Sequence, residues 1–186
     1  MKKMVFVLII LLIFPTAAFS AERTLLGDRE IDHGGYGGPV IKIGAINSQG
    51  ALFLGGCGGW IIDHTFVIGG GGYGLVNDIR SAGNRIDLGY GGLLLEYIMG
   101  SDNLVHLNPR ALIGYGWIAY DVTDSVDDGY FAFEPGINVE VNITPWLRVS
   151  GGVQYLLTSG IGDIPGLDEK DVNGPSVLLV FKFGAF

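Results

Sequence analysis

Cysteine and basic residues are scarce in this chain of 186 residues: Cys57 is the single cysteine, and eleven Lys and Arg stand against nineteen Asp and Glu. A lone cysteine leaves no internal disulfide framework, and Cys57, set in Gly-Gly-Cys-Gly-Gly, reads as a small wall residue. The deficit of positive charge excludes a nucleic-acid partner, because phosphate binding needs clustered Lys and Arg. After Phe14 no apolar run approaches the roughly 20 residues of a membrane-spanning helix. Glycine is abundant at 32 residues but follows no Gly-X-Y period, and proline stays at 7, which excludes collagen. No Gly-x-Ser-x-Gly elbow occurs. The Gly-x-Gly spacings open no helix and so form no nucleotide loop.

What is present starts with a leader. Lys2 and Lys3 precede an apolar run from Met4 to Phe14, and Ala17, Ala18, Phe19, Ser20 and Ala21 follow. A basic start, a short oily middle and small residues at the cut describe a secretory signal peptide over residues 1–20. Cleavage falls after Ser20, or alternatively after Ala18. No cysteine lies near the cut, so lipoprotein processing is not expected. Residues 21–39, polar and Gly-rich, read as a periplasmic lead-in, and residues 40–186 as one domain.

Within that domain the dominant signal has a period of two. Phe131, Phe133, Pro135, Ile137, Val139, Val141 and Ile143 share one parity, while Ala132, Glu134, Gly136, Asn138, Glu140 and Asn142 share the other. Such alternation is a β-strand with one oily and one polar face. The run exceeds the about 9–11 residues that cross a bilayer at a tilt. Eight strands are expected, over residues 40–46, 51–62, 65–76, 86–99, 104–119, 130–143, 147–157 and 176–186. Tight turns at Asp63-His64, at residues 100–103 and at Thr144-Pro145-Trp146 alternate with longer links over 77–85, 120–129 and 158–175. Short turns on one side and long loops on the other predict an all-β, eight-stranded antiparallel up-and-down transmembrane β-barrel. Aromatics gather in two bands, as expected of membrane-interface girdles. Trp60, Tyr97, Trp146, Phe183 and Phe186 lie on the short-turn side, and Trp117, Tyr120, Tyr130, Phe131 and Tyr155 on the long-loop side. Pro109 and Pro135 lack a ladder donor, so each is expected to mark a bulge.

The leader, the alternation, the loop asymmetry and the terminal Phe186 together resemble the small eight-stranded outer-membrane barrels of Gram-negative envelopes, such as the transmembrane domain of outer-membrane protein A. The resemblance covers roughly residues 40–186 and is architectural. It implies an outer-membrane location, contact with outer-membrane lipids and lipopolysaccharide, and reading of the C-terminal strand by the barrel-assembly machinery. In that family the terminal aromatic continues an oily alternation, whereas Phe181 and Phe183 share a parity that Phe186 lacks. Some small barrels process lipid A with a His, a Ser and an acid near the outer rim. Here His33 precedes the barrel, His64 is in a short turn and His106 is at the short-turn end of its strand, so no enzyme and no cofactor is expected.

Three constellations remain. The inward parity gathers Lys42, Glu96, His106, Arg110, Glu134, Glu140, Arg148 and Lys182, with Leu112 as an apolar exception. Charges in a narrow lumen must pair: spacing about the turns puts Glu96 near His106 and Glu140 near Arg148, and Lys42 and Lys182 take acids from across the lumen. The set reads either as a core holding the barrel shut or as a gated pore or proton-linked site, and an eight-stranded interior filled by side chains favours the former. A glycine patch, centred on Gly56, Gly58, Gly70, Gly72 and Gly91, is expected to pair Gly58 with Gly69 and Gly72 with Gly91. It leaves a nearly bare wall, which is either a site of strong curvature or a slot for a lipid chain, a partner strand or the lead-in. Finally, Asp121, Asp124, Asp127, Asp128, Asp163, Asp168, Glu169 and Asp171 make the long loops acidic. They are either solvated or hold divalent cations against lipopolysaccharide phosphates, with no EF-hand order. The expected protein is a monomeric barrel with a structural or surface-interaction role. The alternatives are a narrow channel for ions or small solutes and a secreted soluble β-barrel that binds an apolar ligand.

Overall fold

The computed structural model describes residues 31–81, 83–120, 127–162 and 166–186. The leader expected over residues 1–20 and most of the lead-in therefore lie outside the described residues. Among the described residues nine strands form: β1 (His33–Ile46), β2 (Gln49–Ile62), β3 (Phe66–Leu75), β4 (Ile79–Ser81), β5 (Asn84–Tyr97), β6 (Val105–Tyr120), β7 (Asp127–Thr144), β8 (Leu147–Ser159) and β9 (Gly174–Ala185), with one helical turn, α1 (Glu169–Val172). Every sheet neighbour is antiparallel. The ring closes because β1 pairs with both β2 and β9, and β3 with β5. The result is an eight-stranded barrel to which β4 adds a short flap against the start of β5.

Alternation decides which way each side chain points. In β1, β5, β6, β7, β8 and β9 the even-numbered residues face the lumen, and in β2 and β3 the odd ones do, as the buried Lys42, Phe53, Tyr73, Glu96, Arg110, Glu134, Arg148 and Lys182 show. The opposite faces expose Ile43, Leu54, Ile68, Leu93, Leu107, Ile137, Val153 and Val177. The hairpin joining β1 to β2 is two residues, Asn47 and Ser48, both at positive φ (48° and 60°). That is the left-handed pair a tight, right-twisted hairpin requires. Asp63 and His64 (51° and 52°) repeat it between β2 and β3, closed by the Thr65 amide donating to the Ile62 carbonyl at 3.1 Å.

Several expectations change. The first strand starts at His33 rather than at residue 40. Its glycines look like linker chemistry in sequence, but Gly34 and Gly38 sit where a Cβ would collide with the carbonyls of Ala185 and Phe181, so the close approach of β1 to β9 requires them. The flap β4 carries no alternation long enough to read. It forms because Ile79 and Ser81 turn inward over the barrel mouth. The prolines mark breaks rather than bulges. The β5–β6 ladder stops at Glu96↔Arg110, short of Pro109, and the β7–β8 ladder skips from Phe133↔Leu157 to Gly136↔Gln154 across Pro135. Likewise the β1–β9 ladder skips from Gly37↔Phe183 to Val40↔Val180 across Pro39. Register is kept each time: a missing N–H removes a bond but inserts no residue. The register shift present falls instead between Asn142 and Thr144, at the β7–β8 turn.

The interior also differs from an all-polar lumen. Its charges lie in the short-turn half and at mid-barrel, whereas the long-loop end is mainly apolar, built from Ile46, Ile86, Leu88, Ile118 and Leu156. The loops complete this plug. Ile161, Leu167 and Val172 are buried in it. The Asn47 amide donates to the Asp171 carbonyl (2.7 Å), Ser81 Oγ to the Gly166 carbonyl (2.9 Å) and Gln49 Nε2 to the Arg80 carbonyl (2.7 Å). Tyr130, expected in the outer girdle, is fully buried in the lumen because its even number places it on the inner parity of β7. Its ring lies where a Gly116 Cβ would be. Gly116→Ala is therefore expected to destabilise the barrel by about 1–3 kcal/mol through overpacking. Gly74→Ala, with nothing within 4 Å of its Cβ, should change stability by less than about 1 kcal/mol. Urea unfolding of the refolded barrel in micelles compares the two, and equal effects would contradict this packing.

Candidate functional site

The lumen charges separate into two layers. In the upper one Lys42 donates to Glu134 and to Tyr90, and Tyr90 Oη donates to the same carboxylate. Strands β1, β5 and β7 supply the three groups, so the triad ties separate sectors of the wall. Lys42 is 1% exposed. Its ammonium sits 4.9–5.5 Å from the ring centres of Phe53, Tyr73 and Tyr90, where the negative faces of the rings offset part of its lost hydration. A buried charge is tolerated only when paired and hydrogen-bonded in this way.

The lower layer is a network with two carboxylate hubs. Lys182 Nζ lies 2.7 Å from both Glu96 Oε2 and Glu140 Oε2. Glu140 Oε1 also meets Arg148 Nη1 and His106 Nε2, each at 3.3 Å. Arg110 reaches Glu96 at 3.7 Å and donates to Tyr73 Oη at 2.9 Å. Aromatic faces again lie against the cations: Lys182 Nζ stands 4.4 Å from the Tyr36 ring centre, and Arg148 stacks 4.1 Å from that of Phe186. All eight expected lumen residues are buried, and Glu140 meets Arg148 as the turn spacing implies. His106 meets Glu140 rather than Glu96. The β5–β6 connection is longer than a centre at residue 101 allows, so Glu96 stands opposite Arg110 and His106 opposite Glu140. The ring partners Tyr36, Phe53, Tyr73 and Tyr90 were missed as lumen residues. Parity within β5 marks Tyr90, whereas the glycine runs around Tyr36, Phe53 and Tyr73 blur theirs.

Phe186 does not join the girdle. No bulge restores its parity, so its ring turns inward, stacks on Tyr36 (6.4 Å between centres) and covers Arg148 at the short-turn mouth. Trp60, Tyr97, Trp117, Trp146 and Tyr155 face outward and are exposed, in two bands set by the strand ends.

The glycine patch lies on the outer face. Gly58 stands opposite Gly70, one residue from the Gly69 expected, because the β2–β3 loop spans residues 63–65. Gly72 stands opposite both Gly56 and Gly91. With Gly37 and Pro39 on β1, these glycines form two bare rows across the outer wall. The inner face of the same sector is also glycine-rich: a Cβ at Gly69 on β3, Gly92 on β5 or Gly114 on β6 would collide with the backbone of the neighbouring strand, and one at Gly71 on β3 would press on Cys57 and Leu112. Among the acidic loop residues, Asp128 accepts from the Gly162 amide at 2.9 Å. Asp168 precedes α1, pairs with Lys170 at 2.8 Å and so holds that exposed ammonium above the usual lysine range. Asp121, Asp124 and Asp163 lie outside the described residues, as does the side chain of Asp127.

Removing one partner of the upper triad should be costly. Glu134→Gln leaves Lys42 buried without a counter-charge, at about 3–5 kcal/mol, whereas Lys42→Met/Glu134→Gln should recover most of that loss. Denaturant unfolding of the single and double variants measures the coupling, and additive losses would show that the two groups act independently.

No family profile and no curated protein matches the chain. Among solved structures it is similar to Neisserial surface protein A (NspA), with a TM-score of 0.58 and 12% identity over 84% of this chain and 99% of that one. It is also similar to Ail, the attachment invasion locus protein of Yersinia pestis, with a TM-score of 0.47 and 11% identity over the same shares. At such identity the likeness to the Neisserial protein is one of fold: this chain has the closed, antiparallel, eight-stranded architecture of the small outer-membrane barrels.

Proposed function

We propose that this chain is a non-enzymatic outer-membrane barrel with a structural or surface-interaction role. Its wall meets outer-membrane lipids and lipopolysaccharide, and its braced acidic loops form the surface offered outside the cell. The carrying observation is the inversion of the usual protein pattern. Paired charges are sealed inside while Trp60, Phe66, Leu93, Tyr115, Trp146 and Val177 stand exposed outside. Hydrocarbon solvates such an exterior and water does not. This disfavours the soluble alternative.

A passive role is supported by what occupies the two ends of the lumen: buried Ile161, Leu167 and Val172 at the long-loop end, and Phe186 over Arg148 at the other. A partner that binds outside would find a mouth surface held by cross-bonded loops rather than an open pore. The C-terminal strand β9 is the segment presented to the barrel-assembly machinery during export, with Phe183 rather than Phe186 on its lipid face.

Membrane fractionation with heat-modifiable gel mobility tests the location. The barrel should sediment with membranes and migrate differently before and after boiling, and recovery in a detergent-free soluble fraction would refute membrane insertion. Planar-bilayer recording tests the closed lumen: no steady open level is expected, and a reproducible one that changes with Glu134→Gln would establish a channel instead.

A further inference from the structure

We propose that the barrel wall carries a groove for one glycerophospholipid with a primary ammonium headgroup, at the short-turn end and across β2 to β6. The inference rests on the membrane location proposed above. A cavity of about 610 Å³ opens on this wall, lined on its outer face by Phe66, Ile68, Leu95, Tyr97, Pro109 and Ala111. Its volume falls within the roughly 300–1,000 Å³ of ordinary small-molecule sites. Its shape follows from sequence and register. Bulky residues occupy β3 and β5, where the Phe66 and Tyr97 rings lie 5.0 Å apart. The next strand, β6, presents only Pro109 and Ala111 at that height, and the β5–β6 ladder lapses at Pro109. The step between tall and short side chains makes a trough of acyl-chain chemistry.

The charges at its open end select the headgroup. Ile62 and Phe66 flank the turn that carries Asp63 and His64, and the β5–β6 turn beyond Tyr97 carries Asp102. His64 pairs with Asp32 at 3.3 Å, while Asp63 and Asp102 have no ion-pair partner among the described residues. Among those residues the exposed Lys and Arg are Arg80, Arg85 and Lys170, all at the long-loop end, and Arg110, Arg148 and Lys182 at the short-turn end are turned into the lumen. Among the described residues, the rim beside the groove therefore offers carboxylates and no strong cation. It complements an ammonium and repels a headgroup that is only anionic. Hydrocarbon surrounds the wall everywhere, so chain burial distinguishes this site little from bulk lipid, and the headgroup contacts set the preference. Exposed ion pairs are weak, so the expected preference is about two- to five-fold.

Trp60 reports on the groove, since it stands opposite Ile68. The full chain with Trp117→Phe and Trp146→Phe, which retains Trp60 alone, would be placed in bilayers containing brominated phosphatidylethanolamine or brominated phosphatidylglycerol. Quenching of Trp60 should favour the ethanolamine lipid by about two- to five-fold. Asp63→Asn/Asp102→Asn should equalise the two lipids, and asparagine suits the left-handed backbone at residue 63. Ala111→Phe should weaken quenching by the ethanolamine lipid by filling the trough. A barrel that floats with the vesicles yet is quenched equally by both lipids, or whose preference survives the double Asn change, overturns the groove while leaving the membrane reading intact. A barrel that does not float overturns both.

Discussion

The first strand of the sheet pairs with the last, and β3 pairs with β5 across the flap. From that closure the remaining features follow. A closed ring leaves no edge and satisfies the backbone from within, which is what a bilayer demands of a spanning sheet. Eight strands enclose a space that side chains fill, so the inward charged side chains become buried ones. Lys42, Lys182, Arg110, Glu134, Glu96 and Glu140 could not each sit unpaired in such a space. Their carboxylate hubs and the aromatic faces against their cations are the conditions under which the ring can close.

Glycine is the second consequence. Large tyrosines fill the lumen, and the wall opposite them must give way. Gly116 does so beneath Tyr130, and Gly71 lies against Cys57 and Leu112. On the outer face Gly70, Gly72 and Gly56 have room for a Cβ at ordinary or slightly tight distance, so inner packing does not explain their smallness, and nothing in the structure does. Prolines shape the wall differently: Pro39, Pro109 and Pro135 each remove one ladder bond without shifting register, and the wall beside Pro109 steps down.

Much of this was legible beforehand. The 131–143 alternation named the two faces of β7, and it carried to β6, β8 and β9, so the lumen residues could be read from parity alone. Pairing was legible where a short turn sets the register, as for Glu140 and Arg148, and failed for His106, where the connection was longer than its residues suggested. Glycine runs hid the start of β1 because the residue that permits a close strand approach also permits a linker. Phe186 was misplaced because its chemistry suggested a girdle while its parity pointed inward, and parity prevailed.

The residues alone carried the class of the protein, strands of period two with one oily and one more polar face, because pleating sends successive side chains to opposite faces whatever surrounds them. Which charge meets which, the apolar plug at the long-loop end, and the groove between bulky and small side chains on neighbouring strands came only with the folded barrel. Those outcomes depend on registers, loop paths and side-chain volumes meeting across the barrel, between residues far apart in the chain.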